Sequence, residues 1–118
     1  MQIKGDNMNM VTIVLNKTEC LEELLRTFAK EGIKGATIIE SVGMARALND
    51  ESDIGFMQSL KLILDPDRET SKTIFLVAKD DKLPIISKAL NDVTGGLDNP
   101  DTGIMFCTPV TYVEGIKF

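Results

Sequence analysis

The chain of 118 residues contains no histidine and no tryptophan, and its two cysteines are Cys20 and Cys107. Histidine is the side chain most often used for acid-base catalysis and for transition-metal binding near neutral pH, and it is missing here. The cysteines lie far apart in sequence and form no CxxC pair, so we interpret both as small buried hydrophobic residues. The sequence therefore predicts no catalytic residues and no metal site, and it favours a protein that is not an enzyme.

The sequence also lacks a long apolar segment and an excess of positive charge. No stretch approaches the roughly 20 apolar residues that cross a bilayer, and the first residues lack the apolar core of a secretory signal. The net charge of −5 provides no long-range attraction for nucleic acid or for anionic lipid. We expect a cytoplasmic protein without membrane insertion or a nucleic-acid partner, which leaves a small ligand or another protein as its partner.

The composition is that of one globular domain, with 43% hydrophobic and 26% charged residues. Residues 1–9 are polar and rich in Asn and Met, which predicts a flexible N-terminal tail. Residues 10–118 then form the single folded domain.

The first part of this domain has the pattern of a β-α-β unit. A β-branched run over residues 10–15 predicts a buried strand, and apolar residues at helical spacing predict a helix over residues 18–31. Asn16 and Glu19 are placed like a capping pair at the start of this helix. A second β-rich run over residues 36–42 completes the unit.

The same pattern returns in the second half of the chain. Residues 72–78 predict a strand, and Asp80 or Asp81 is placed to cap a helix that ends before Gly95. A further strand begins with residues 103–107. Two such units in one small domain predict an α+β fold, the ferredoxin-like βαββαβ sandwich, in which a four-stranded antiparallel sheet carries two helices on one face.

Large apolar residues point to both faces of the predicted sheet. Val14 lies between Ile13 and Leu15, and Ile38 is followed by Ile39. One face packs on the helices, and burial of the other face predicts a symmetric homo-oligomer. An uneven pattern in a monomer is the alternative.

The connection between the second and third strands, residues 44–71, is much longer than usual in a compact domain. It contains the apolar run FMQSLKLIL, which a disordered linker seldom has. We predict a partner-binding loop whose contacts include Phe56, Met57 and Leu60.

The segment from Gly32 to Arg46 reads GIKGATIIESVGMAR. It resembles the pattern Gly-Ile-x-Gly-x-Thr-x-x-Glu-x-x-Gly-x-Gly-Arg of the PII nitrogen-regulatory signalling proteins, and the run GIMFCTPV at 103–110 resembles a later family segment. The resemblance covers about residues 10–46 and 72–114, as expected of a divergent PII-like branch. It implies a homotrimer without a permanent cofactor that regulates a transporter or an enzyme through the long loop.

The resemblance also implies that a small anionic effector, such as an adenine nucleotide, binds at clefts between subunits. The positions that it assigns to the effector are Thr37, Gly43, Arg46, Lys72, Thr94, Gly95, Gly103 and Lys117. Ile104 replaces a lysine of the family pattern, and Gly115 and Lys117 replace two arginines. Because each charge-assisted hydrogen bond to phosphate contributes roughly 1.5–3 kcal/mol, we expect nucleotide binding to be weaker than is usual in the family.

Three functions stay open at this point. The first is a PII-like sensor with a small anionic effector. The second is a protein-interaction module that acts through the apolar loop without any small-molecule effector. The third is an enzyme or metal-handling protein on the same scaffold, since a fold does not dictate a function, although the absence of histidine disfavours it.

Overall fold

The computed structural model describes the backbone of residues 2–4 and all of residues 7–44 and 70–116. Within them the strands and α-helices are β1 (Gln2–Lys4), β2 (Met8–Leu15), α1 (Leu21–Lys30), β3 (Thr37–Ser41), β4 (Ser71–Lys79), α2 (Leu83–Thr94), β5 (Gly103–Pro109) and β6 (Tyr112–Glu114). Among these described helices, none has the length and apolar character needed to cross a membrane.

Four of the strands form one antiparallel sheet in the order β3-β4-β2-β5. β2 is the first of these strands in the chain and lies inside the sheet, between β4 and β5. Each β-α-β connection therefore joins two strands that have one other strand between them. Both helices pack against the same face of the sheet. The predicted ferredoxin-like fold is confirmed.

The hydrophobic core lies between this face and the two helices. Alternate residues of the central strands point into it, because successive side chains of a strand face opposite sides. The fully buried large side chains of the core are Val11, Ile13 and Leu15 of β2, Ile74 of β4, Leu24 and Phe28 of α1, and Ile86 and Leu90 of α2.

Both helices begin with a 3-10 turn instead of the predicted side-chain caps. The turn Thr18–Cys20 precedes α1, and the turn Asp80–Lys82 precedes α2. No side chain caps either helix by a hydrogen bond. The carboxylate of Asp80 instead accepts a hydrogen bond from the side-chain amide of Asn9. The predicted caps at Asn16 and at Asp80 or Asp81 are wrong because the chain enters each helix through a tighter turn.

The N-terminal residues depart from the predicted flexible tail. Gln2–Lys4 pairs with Tyr112–Glu114 in a separate two-stranded antiparallel sheet, with Ile3 opposite Val113. β2 begins at Met8, whose side chain is buried. Polar composition misled the prediction, because backbone hydrogen bonds between strands form whatever the polarity of the side chains.

The sheet face opposite the helices carries apolar side chains that nothing in the described chain covers fully. Ile39, Ile104 and Phe106 are 47%, 58% and 48% exposed. The register places Thr12 of β2 between Phe75 and Phe106 on its two neighbours. We call this surface the open face. The second apolar face that the sequence predicted is present.

Candidate functional site

Four strand ends meet at one end of the sheet. Glu40, Lys72, Leu15 and Gly103 stand in register across β3, β4, β2 and β5. Strands are about 4.8 Å apart, so the backbones of Lys72 and Gly103 are about 10 Å apart. We call this region the Leu15 end. The long insert leaves the sheet here after β3 and returns here before β4. We call the two chain segments at these points, residues 40–41 and 70–73, the stems of the insert.

Hydroxyl groups join the two stems on the open face. The Ser41 Oγ lies 2.7 Å from both the Ser71 Oγ and the Thr73 Oγ1. The Ser71 hydroxyl is also within donating distance, 3.0 Å, of the Ser41 carbonyl oxygen. Ser71 is 2% exposed and Thr73 is 8% exposed, so water competes little for these bonds. This hydroxyl cluster fixes the stems to each other at the last rung of the ladder.

An ion pair joins the same stems on the helix side of the sheet. The Lys72 ammonium contacts the carboxylate of Glu40 on the neighbouring strand. The second carboxylate oxygen of Glu40 lies 3.5 Å from the hydroxyl of Thr70, which is buried. Lys72 was predicted to bind the effector, and the structure gives its charge an internal partner.

Several backbone N–H groups of the loop between α2 and β5 already donate hydrogen bonds within the protein. Four loop N–H groups donate within the loop or to the end of α2, those of Gly95, Gly96, Leu97 and Asn99. Asn91 accepts two of them, one on its carbonyl oxygen at 3.0 Å and one on its Oδ1 at 2.9 Å. Phosphate-binding loops work by directing several N–H groups at the anion. These four donors are directed elsewhere, so this loop offers fewer of them to a phosphate.

Thr94 is part of the end of α2. Its side chain is 1% exposed, its hydroxyl donates to the Leu90 carbonyl at 2.7 Å, and the same oxygen accepts the N–H of Gly96 at 3.3 Å. Gly95 follows with φ of +87°, the left-handed conformation in which helices commonly end. Both residues were predicted to bind the effector, and both have a structural role in ending the helix.

Several solved structures have a fold similar to that of this chain. No protein-family model matches the chain, and no curated protein matches it. A PII protein of Arabidopsis thaliana with bound citrate matches with a TM-score of 0.60 and 15% identity, over 89% of this chain and 78% of that one. The GlnK–ATP complex of Bacillus subtilis matches with a TM-score of 0.58 and 14% identity, over 92% of this chain and 86% of that one.

The chain has the PII fold. A functionally unknown protein of Pediococcus pentosaceus shares the fold with a TM-score of 0.61 and 10% identity, over 93% of this chain and 98% of that one. At these identities the likeness establishes the architecture.

Within the PII fold, a cleft of about 390 Å³ separates the β2–α1 turn from the α2–β5 loop. Its lining residues are Asn16, Lys17, Thr18, Glu19, Asn99, Pro100, Asp101 and Thr102. The Lys17 ammonium donates to the Thr94 carbonyl at 3.0 Å. Two carboxylates, of Glu19 and Asp101, share the cleft with this single ammonium. The lining is therefore net negative and is not by itself suited to an anion.

The PII fold places the predicted effector-binding residues that the structure describes in two groups. Gly43, Lys72, Thr94, Gly95 and Gly103 lie at or next to the Leu15 end. Thr37 lies three residues before Glu40 on β3, about 10 Å along the strand, opposite Phe75. Outside the described residues are Arg46, Lys117 and the predicted partner contacts Phe56, Met57 and Leu60.

Glu40 and Lys17 are two charged residues of this region that the sequence analysis did not select. Glu40 belongs to the motif GIKGATIIESVGMAR, so its type was visible in the sequence. Its pairing with Lys72 depends on the register between β3 and β4. This register cannot be read from the sequence, because the long insert separates the two strands. The contact of Lys17 with the end of α2 likewise joins residues that are distant in sequence.

The two thiols do not have the environment of reactive cysteines. Cys20 is buried, and its Sγ lies 3.5 Å from the Val93 carbonyl oxygen, while burial raises the pKa of the half-buried Cys107 thiol above its ordinary value. The described residues also contain no group of three or more acidic or cysteine side chains arranged to hold a metal ion.

We expect the native protein to react slowly with a thiol reagent at pH 8. Because a raised pKa leaves less of the reactive thiolate and the side chain is half-buried, labelling of Cys107 should be slower than labelling of free cysteine. Labelling followed by absorbance in buffer and in denaturant measures this, and both thiols should react quickly after unfolding. Rapid labelling of the folded chain would contradict the assignment.

Proposed function

We propose that the chain is a PII-like signal-transduction protein of the cytoplasm. In this proposal a homotrimer binds a small anionic effector at the clefts between its subunits and regulates a partner protein through the loop at residues 44–71. The observation that carries the proposal is the place of the insert in the PII fold. Both of its stems leave the sheet at the Leu15 end, beside the α2–β5 loop, so an effector bound there would contact the elements that position the insert.

The homotrimer is supported by the open face. Ile39, Ile104 and Phe106 lie near its two edges and are about half exposed in the single chain. Burial of apolar surface is worth roughly 25 cal/mol per Å², so packing three such faces around one axis would stabilise the assembly. The clefts of the proposed effector site would then lie between neighbouring subunits.

The chemistry of the effector is suggested by what two neighbours hold. The Arabidopsis PII structure contains citrate and the Bacillus GlnK structure contains ATP, and both molecules are anions with several negative charges. We propose a multivalent anion for this chain too, with an adenine nucleotide as one candidate. The regulated partner would be a transporter or an enzyme, contacted through Phe56, Met57 and Leu60, and the protein itself would not be an enzyme.

A second candidate is an interaction module without a small-molecule effector. It is favoured by the α2–β5 loop, which donates four of its N–H groups internally, and by the net negative lining of the cleft. Capture of a partner by the full chain but not by a variant lacking residues 47–70, with no dependence on any added anion, would support this candidate.

Thermal unfolding with a panel of ligands tests the proposed function. The panel contains ATP, ADP, citrate, a cyclic dinucleotide and bicarbonate, each compared with sodium chloride at equal ionic strength. A ligand at 100 times its Kd stabilises the folded state by about 2.7 kcal/mol, which should raise the Tm of a chain of this size by about 10 °C. If no member changes the Tm at millimolar concentration, the effector part of the proposal fails and the interaction module is favoured.

A further inference from the structure

We propose that Glu40 is an internal competitor of the effector, because its carboxylate occupies the ammonium group of Lys72 that an incoming anion would need. This inference rests on the proposed function, since it describes how the same site is controlled. It makes Glu40 a residue that sets the affinity of the site for anions, and it makes Lys72 a cation that becomes available only when Glu40 is displaced.

The competitor is held in place by the sheet. Glu40 and Lys72 are direct partners on β3 and β4, so the backbone ladder fixes both residues. The Lys72 side chain is 24% exposed and the Glu40 side chain is 45% exposed. A group that is tethered next to its partner acts at a high effective concentration, so a weakly bound monovalent anion would not displace it. Both groups are still open enough to solvent for exchange to take place.

The other cation at this end is less suited to the effector. The Lys17 ammonium donates to the Thr94 carbonyl, and its cleft also contains the carboxylates of Glu19 and Asp101. In the part of the chain that the structure describes, Lys72 is therefore the better-placed cation at the Leu15 end. Competition with Glu40 would make the site selective, because an anion with several charges gains more from Lys72 than a single carboxylate does.

Displacement of Glu40 would also change how the stems are joined. The Glu40 carboxylate contacts both Lys72 and Thr70 of the returning stem, so its release removes the side-chain contacts on the helix side of the sheet. The hydroxyl cluster of Ser41, Ser71 and Thr73 would remain on the open face. Occupancy of the site would thereby change the side-chain contacts between the stems on one face only, while the backbone ladder and the hydroxyl cluster keep the stems paired.

Titration calorimetry with pyrophosphate at fixed ionic strength tests the inference on the full chain. Glu40→Gln should bind pyrophosphate about 2- to 5-fold more tightly than the wild type, the range expected when one partly exposed ion pair no longer competes. The added substitution Lys72→Met should abolish this gain. Glu31→Gln is the control, because it removes one negative charge at the C-terminal end of α1, next to Lys82 and at the end of the sheet away from the stems, and it should leave the affinity unchanged.

The possible results distinguish failure of the competitor role of Glu40 from failure of the proposed anion site. If the wild type binds pyrophosphate and Glu40→Gln binds it equally or more weakly, the competitor role is wrong while an anion site remains. If neither protein binds at millimolar concentration, the competitor role is wrong, and the ligand panel decides separately whether the anionic effector is wrong as well. Circular dichroism melts check that the variants fold, and Glu40→Asp, whose shorter side chain reaches Lys72 less well, should give a smaller gain and serves if Glu40→Gln is unstable.

Discussion

Phe106→Glu is expected to convert the proposed trimer into a folded monomer of 13.0 kDa. Phe106 is 48% exposed on the open face, so the substitution costs the single chain little. In a threefold assembly the same change introduces three carboxylates into one interface, where each loses hydration and repels the others. Light scattering after size exclusion should give one third of the wild-type mass, with a circular dichroism spectrum like that of the wild type.

A matched substitution shows whether the effect belongs to the open face. Ala29→Glu adds the same charge to an exposed position of α1, on the opposite side of the sheet, and should leave the trimer intact. Ile104→Glu, at the most exposed of the three apolar positions, should act like Phe106→Glu. A wild-type protein that is monomeric at tens of micromolar, or a trimer that persists in both open-face variants, would contradict the proposed assembly.

Gly103→Ala is expected to destabilise the fold by about 2–3 kcal/mol and to lower the Tm by about 10 °C. Gly103 has φ of +153°, a conformation that side chains rarely adopt, and a Cβ there would lie 2.6 Å from the carbonyl oxygen of Val14. Val14 belongs to β2, which is held between β4 and β5 and cannot move away without breaking a ladder. Thermal and urea unfolding monitored by circular dichroism would measure the loss.

Gly43→Ala is the control for this prediction. Gly43 lies outside the left-handed region, and a Cβ there would meet no atom within 4 Å. Its substitution should change the free energy of unfolding by less than about 0.5 kcal/mol. Equal stability of the Gly103 and Gly43 variants would show that the close approach to Val14 is relieved by movement. A loss of effector binding in Gly43→Ala without a loss of stability would instead place that glycine at the ligand.

Much of the fold could be predicted from the chain because its elements are marked locally. The β-branched run that ends at Leu15 and the apolar stripe through Leu24 and Phe28 each identify an element without reference to the rest of the molecule. Their order then leaves few arrangements, since two β-α-β units close most simply into one sheet. The failures concern the N-terminal strand Gln2–Lys4, whose partner is distant in sequence, and the helix caps, where a 3-10 turn leads into each helix.

The candidate site was less predictable for the same reason. The glycines of the α2–β5 loop were visible in the sequence, but the internal use of its N–H groups depends on how the loop folds back on Asn91. Lys72 was selected for its charge, and only the register between β3 and β4 shows that Glu40 already holds that charge.

The sequence by itself determined the α+β class, the positions of most strands and helices, the lack of histidine chemistry and the long insert between β3 and β4. These properties follow from composition and from periodicities of a few residues. Only the tertiary structure decided that Gln2–Lys4 pairs with Tyr112–Glu114, that N–H groups of the α2–β5 loop donate to Asn91, and that Glu40 and Lys72 face each other across the insert. The physical reason is that register and contact join residues far apart in the chain, and no local pattern encodes which distant residue becomes the partner.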